Sequence, residues 1–184
     1  MTGTADLRSE HRAVGRMLDI MDKMAASARE GERLRAEDLH ESVEFLRVFV
    51  DSCHHAKEEQ LLFPAMRAAE VPSADDVLAD LLADHVLGRE IVVRLASLVA
   101  RAEAADRSAG AELAQTIEAY TLLLRDHIGR EERDCFEPAD RALPPDVQHA
   151  LIEGYERIEV EVVGGGVHER FHALLDRLAH AYRM

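Results

Sequence analysis

The sequence predicts an all-α protein: an antiparallel, up-down-up-down four-helix bundle with two additional C-terminal helices. Three observations predict it. Ala, Leu, Arg and Glu dominate the composition, and all are good helix formers. Apolar residues recur at helical rather than alternating spacing. One helix-sized pattern also occurs twice. His54-His55-Ala56-Lys57-Glu58-Glu59 with Phe63, and His127-Ile128-Gly129-Arg130-Glu131-Glu132 with Phe136, both read His-x-x-x-Glu-Glu-x-x-x-Phe.

The repeat extends beyond these runs. His11 precedes His54 by 43 residues and His85 precedes His127 by 42. Leu7 and Leu81 lie four residues before His11 and His85, and Glu10 and Asp84 lie one before. The unit is a helix with His, a loop, and a helix with His-x-x-x-Glu-Glu. It predicts two helical hairpins, over about residues 5–70 and 73–138, within a bundle domain of about residues 1–140. Residues 141–184 form a helical extension expected to pack on the bundle or on a partner subunit.

The elements follow in order. A first helix over about residues 5–29 carries Leu7, His11, Val14, Leu18 and Met21 as its inward stripe, and Glu30-Gly31-Glu32-Arg33 breaks it. A second, over about 36–69, repeats Val43, Leu46, Val50, His54, Leu61 and Leu62 at helical spacing. Pro64 is expected to kink or end it. Ser73 is expected to cap the third helix, which buries Leu78, Leu81, Leu82, His85, Val92, Leu95 and Val99. A turn near Asp106–Gly110 leads to a fourth helix, about 111–135, with Ile117, Tyr120, Leu124, His127 and Glu131 on one face. Pro144-Pro145 opens a fifth, about 146–162, and Gly164-Gly165-Gly166 separates it from the last, about 167–182.

Composition excludes several classes. The chain has 184 residues, enough for one domain with a real core. Its net charge of −14 argues against nucleic acid, whose phosphates need a basic footprint, and against anionic membrane surfaces. No apolar run approaches transmembrane length and Met1–Ser9 has no signal core, so no membrane association and a cytoplasmic location are expected. Cys53 and Cys135 make no disulfide framework. With Cys53 one residue before His54 and Cys135 eight after His127, the helix rise sets them roughly 13 Å apart along the bundle. Both thiols are expected to be free.

The repeated residues point to metal chemistry. A His and a Glu four apart share one helix face. His11, His54, Glu58, His85, His127 and Glu131 are expected to face one volume with approximate two-fold placement. Each of two ions receives two imidazoles, and the two carboxylates bridge. Imidazole and carboxylate together suit iron or manganese and require no thiolate. A single core histidine is more often a hydrogen-bonded packing residue. Four in register, two with Glu at i+4, carry a different weight, because buried carboxylates need compensating charge.

The chain resembles the hemerythrin-like, or HHE cation-binding, family. The resemblance rests on Glu10-His11, on His54 through Glu59 with Leu62-Phe63-Pro64, on Asp84-His85, and on His127 with Glu131-Glu132 and Phe136. It covers about residues 5–138 and implies an antiparallel four-helix bundle around a non-haem di-iron centre, with Mn or Zn as possible substitutes. Members carry or sense oxygen, respond to nitric oxide and peroxide, or handle iron. The implied small-molecule ligand is O2, peroxide or nitric oxide, with a catalase-like or nitric-oxide-detoxifying activity as one outcome. A non-enzymatic iron, oxygen or redox sensor is the other, and the lack of an attached partner domain counts slightly against it. Oxygen carriers have a second histidine on the third helix where this chain has Arg89. Their acidic ligand on the fourth helix is an Asp five after its histidine, where this chain has Glu131 four after His127. Both departures imply a ligand-poorer site, with chemistry on reactive oxygen or nitrogen species favoured over reversible storage.

Lesser signals remain. His55 points about 100° away from His54 on an α-helix. It is expected as a partly exposed helix residue, with an extra ligand or an outer donor as the alternatives. Glu59 and Glu132 stand in equivalent positions and are expected to hydrogen-bond ligand imidazoles. Tyr120, two turns before His127, is a candidate to line the metal pocket. His168-Glu169-Arg170-Phe171-His172 matches the His-Glu-x-x-His motif of zinc proteases. That chemistry wants a third protein ligand and a substrate cleft, and the position ten after His168 is Leu178.

Overall fold

A computed structural model of the chain describes residues 2–32, 34–72, 74–103, 109–164 and 166–183. Among these residues all regular structure is helical, in six rods. Helix α1 is Ala5–Arg29. Helix α2 spans 36–68, through Ala36–Phe45, Leu46–His55, Glu58–Leu62 and Phe63–Ala68. Helix α3 is Ala74–Glu103. Helix α4 spans 109–142, through Ala109–Arg130, Glu131–Phe136 and Glu137–Ala142. Helix α5 spans 145–163, and α6 is Val167–Ala181. The expected Ser73 cap lies outside the described residues, as does most of the turn expected at 106–110.

Local chemistry sets the ends. Beyond α1, Gly31 at φ +81° takes a left-handed conformation that costs other residues steric strain. The Gly31 N–H then reaches the Ala28 carbonyl and the Glu32 N–H the Ser27 carbonyl, the paired bonds that close a helix C-terminus. At the start of α1, Thr4 Oγ1 donates to the Asp140 carboxylate at 2.8 Å and Arg8 pairs with it at 3.1 Å. This pins the N-terminus of α1 to the end of α4. Pro64 does not end α2. It sits where the π-helical run Glu58–Leu62 gives way to the α-helical run Phe63–Ala68. Pro138 holds the same position in α4.

Four stretches among the described residues have π-helical hydrogen bonding: Leu46–His55, Glu58–Leu62, Glu131–Phe136 and, at the end of α5, Glu159–Val163. An i→i+5 turn is wider than an α turn, so each residue rotates less about the axis. The first three contain or adjoin the His-x-x-x-Glu-Glu runs.

Helices α1 and α3 both pack along α4, and α2 packs on α3 and on α1. The core they enclose is divided in two. One apolar cluster holds Val14, Val50, Val92 and Leu124, and the other Leu7, Leu62, Leu81 and Cys135. On each of the four helices a buried histidine lies between them: His11, His54, His85 and His127. The order in which a helix meets the two clusters reverses from each helix to the next.

Helices α5 and α6 pack on this core. Leu151 and Tyr155 join the second cluster, and Phe171, Leu175 and Leu178 join the first. Gly154 brings α5 so close to α2 that a Cβ there would lie 2.7 Å from Leu61. The Phe171 ring meets Phe45 edge-on, with centroids 5.3 Å apart. Arg177 pairs with the buried Asp38 at 2.7 Å. Replacing Phe171 with Ala removes a fully buried ring and should lower unfolding stability by about 3–5 kcal/mol. Urea denaturation of the full chain measures this, and a loss under about 1 kcal/mol would show that α6 docks without stabilising the core.

Candidate metal centre

Between the two apolar clusters lies a layer of polar side chains. Two groupings within it have ligand atoms mutually within 4.8 Å: His11, His54, Glu58 and Glu131, and His55, His85 and His127. All seven are buried. In the first, Nε2 of His11 and Nε2 of His54 are 3.0 Å apart. In the second, Nε2 of His85 and Nε2 of His127 are 3.2 Å apart. The carboxylates join the groupings. Glu58 Oε1 lies 3.2 Å from His54 Nε2, while Oε2 lies 3.6 Å from His85 Nε2. Glu131 Oε2 is 3.2 Å from His11 Nε2 and 3.5 Å from His127 Nε2. The six residues singled out from the sequence thus come together in one volume.

The other ring nitrogen of each of these four histidines meets a carboxylate. Glu10 Oε2 lies 2.8 Å from His54 Nδ1, and Glu59 Oε1 lies 2.7 Å from His85 Nδ1. Asp84 Oδ2 lies 3.2 Å from His127 Nδ1, and Glu132 Oε1 lies 3.0 Å from His11 Nδ1. The pattern is cyclic: an acid on α1 holds the histidine of α2, α2 that of α3, α3 that of α4, and α4 that of α1. An anionic acceptor at Nδ1 keeps the proton there and turns the Nε2 lone pair inward. Glu59 and Glu132 were legible in the sequence. Glu10 and Asp84 stand out in the sequence as repeat and family markers, one residue before His11 and His85, but that spacing does not give their partners on the next helix.

Cations hold three of these acids. Arg89 Nη2 pairs with Glu59 and its Nε with Asp51, each at 2.6 Å. Arg130 pairs with Asp84. Lys57, fully buried, places Nζ 2.5 Å from Glu10 Oε1 and 2.5 Å from Glu159 Oε1 on α5. Arg89 therefore steadies an imidazole through Glu59 at the position where a carrier has a histidine.

His55 departs from the sequence expectation of partial exposure. It is 4% exposed and stacks on His85, with ring centroids 3.8 Å apart. The reason is the π-helical run Leu46–His55, whose smaller rotation per residue turns adjacent His54 and His55 to the same interior. Tyr120 is also buried. With His55, Gly88 and Arg89 it lines a cleft of about 220 Å³ between α2, α3 and α4. His172 is exposed, and neither it nor Glu169 belongs to a metal-competent grouping among the described residues. The His168 side chain lies outside the described ones. Cys53 and Cys135 are both free and buried, and burial pushes the Cys53 thiol up to about 12.

Burial and neighbouring charges shift the ionisable groups of the layer. Burial and the charge of Glu131 raise the Glu58 carboxyl, although His54 opposes them. Glu131 is held low against its burial by His127 and His11. Burial would lower the His54 imidazole, but Glu58 and Glu10 raise it well above its usual value. Burial and the neighbouring His85, His54 and His127 push His55 well below. Both oxygens of Glu58, Oε1 of Glu131 and Nδ1 of His55 lack a hydrogen-bond partner. Orphaned buried carboxylate oxygens facing imidazole lone pairs are what a bound divalent cation satisfies, so the residues present fit a metal pair.

This fold and layer define an all-helical protein with a cation-competent His/Glu centre. The chain matches the hemerythrin HHE cation-binding domain over residues 2–139, and it belongs to that family. Uncharacterized proteins of Mycobacterium tuberculosis and Mycobacterium bovis are similar to it, at 30% identity over 187 aligned positions. The alignment covers 97% of this chain and 68% of each relative. No solved structure matches the chain.

Two outcomes follow from the outer carboxylates. Lys57→Met leaves Glu10 buried beside His54 without its cation and should cost about 3–5 kcal/mol, read by chemical denaturation. Glu10 is lowered from the ordinary 4.5, because His54 and Lys57 outweigh its burial, and hydrogen bonding from His85 lowers Glu59. Their stabilisation is therefore complete above about pH 4.5 and lost as pH falls through the depressed folded values. Metal-free protein should lose stability on acidification below about pH 4.5, and Glu10→Gln with Glu59→Gln should flatten that slope in pH-dependent denaturation.

Proposed function

We propose that this chain is a non-haem di-iron protein that binds or reacts with O2, peroxide or nitric oxide. The observation that carries the reading is Glu58, one oxygen of which faces the His11/His54 grouping and the other the His55/His85/His127 grouping. Glu131 lies between the same groupings from α4, with its Oε2 near both His11 and His127. In this reading the four histidine-bearing helices run up-down-up-down, which accords with the reversal in cluster order along successive helices. His11 and His54 would hold one ion and His85 and His127 the other, with Glu58 and Glu131 as the carboxylates available to both. His55 supplies a third imidazole to the second ion, taking the part that carriers give to a histidine at the Arg89 position. In that reading His55 offsets the ligand that Arg89 does not supply. Mn or Zn are possible occupants of the same donors.

Iron supplies one-electron chemistry toward oxygen, peroxide or nitric oxide when bound. The chain's own residues do the rest. Glu10, Glu59, Asp84 and Glu132 hold the Nδ1 protons and fix each ring plane. The flanking apolar clusters keep bulk water out. The cleft beside His55 and Tyr120 offers a small molecule a route inward.

Protein purified from its own cells should contain about two iron atoms per chain, by metal analysis with an absorption spectrum. One tightly held zinc and no iron would sink the reading. Glu58→Ala or Glu131→Ala should deplete both ions, whereas His172→Ala should leave metal content unchanged. Peroxide turnover by the loaded protein then separates an enzyme from a sensor.

A further inference from the structure

The two halves of the centre share a rule that α5 breaks. Three residues after each repeat histidine stands a cation: Lys57 after His54 and Arg130 after His127. Each pairs with the acid that precedes the other histidine of its hairpin, Lys57 with Glu10 and Arg130 with Asp84. Each acid in turn holds the imidazole at the same level, His54 or His127. In the second half these contacts stay within the bundle. Arg130 is partly exposed and takes its further carboxylate, Asp126, from its own helix at 2.8 Å. In the first half α5 lies over the equivalent position. Lys57 is fully buried and takes its further carboxylate, Glu159, from α5.

We propose that α5 is a working part of the metal centre, in which Glu159 positions Lys57, Lys57 positions Glu10, and Glu10 aims the His54 imidazole. This inference rests on the di-iron reading for the ion but not for the geometry of the chain of contacts. The argument is one of constraint. Glu10 uses one oxygen on Lys57 and the other on His54, so its carboxyl plane is fixed only while both contacts hold. The Lys57 ammonium carries three donors and no acceptor, and its flexible stem does not define where it sits. Carboxylates from two different helices define it, and a buried ammonium needs both to offset its lost hydration. The buried Cys53 thiol of α2 also adjoins the ammonium, and the Tyr155 ring of α5 lies 5.8 Å from Nζ. Glu159, Lys57 and Tyr155 are positioning residues: the first two act on the ion through Glu10 and His54. The consequence is an asymmetric pair, with the His54 position locked by the extension and the His127 position held within the bundle alone.

The test uses full-length protein, as wild type, Glu159→Ala and Phe171→Ala. Phe171→Ala loosens the extension at α6 and touches no member of the contact chain, so it controls for stability. In iron-loaded protein, Glu159→Ala should speed chelator removal of one iron of the two by about tenfold, the scale for losing an outer partner of a metal-bound histidine. Mössbauer spectra should show one altered iron environment and one unaltered. Phe171→Ala should lower the unfolding midpoint and leave both iron environments as in wild type. A second readout needs no metal. The His54 Nδ1–H proton, followed by NMR in metal-free protein, should exchange with solvent about tenfold faster in Glu159→Ala than in Phe171→Ala. Equal loss of both irons, or an unchanged exchange rate, overturns the proposal. Wild-type protein without two irons overturns the di-iron reading instead, and the exchange measurement still decides the role of Glu159.

Discussion

Two carboxylates, Glu58 and Glu131, stand with no exposure in the middle of an apolar bundle, and the rest of the structure is arranged around that fact. Ionised carboxylates in such a place are untenable without positive charge or strong donors. Four imidazoles converge on them, and each imidazole is backed by a further carboxylate on the neighbouring helix. Those acids create the same problem one step outward, which the buried Lys57 and the partly exposed Arg130 and Arg89 solve for three of them. Charge therefore alternates from the centre to solvent. No helix can shift without breaking the contact it gives to the next and the contact it receives from the one before.

The backbone contributes as much as the side chains. A straight α-helix with His-His-x-x-Glu-Glu would present one histidine and one glutamate to the interior and leave the others on its flanks. The π-helical stretches widen the turn where the polar residues sit, and His54, His55 and Glu58 all reach the interior from one rod. The widened turns interrupt regular hydrogen bonding, and packing on both apolar clusters holds them in place.

Much of this was legible in the residues themselves. Helix positions follow from period 3.6, and the duplicated His-x-x-x-Glu-Glu fixed which six polar side chains would share a volume. Helix breaks at Glu30–Glu32 and Gly164–Gly166 follow from glycine, and free thiols follow from the rise per residue. Other features lay beyond a one-dimensional reading. The inward turn of His55 depends on a helix type that α-periodicity does not encode. The pairing of Glu10 with His54 crosses between helices, so spacing within one helix is silent about it. Lys57 reads as a surface residue until α5 is laid over it, and nothing in the repeat announces that partner.

The polar layer also cuts the hydrophobic core into two parts that share little apolar contact. One lies toward Met17, Phe45 and Ile117, and the other toward Leu7, Phe63 and Phe136. Four continuous helices cross the layer, and each is apolar on either side of it. Such a molecule has two potential cooperative units stitched by charge rather than by packing. A cation held from all four helices would couple their opening. With the layer protonated or empty of cation, amides on the Leu7 side and the Met17 side can open at different free energies, so the state of the centre sets whether the bundle melts as one body or two.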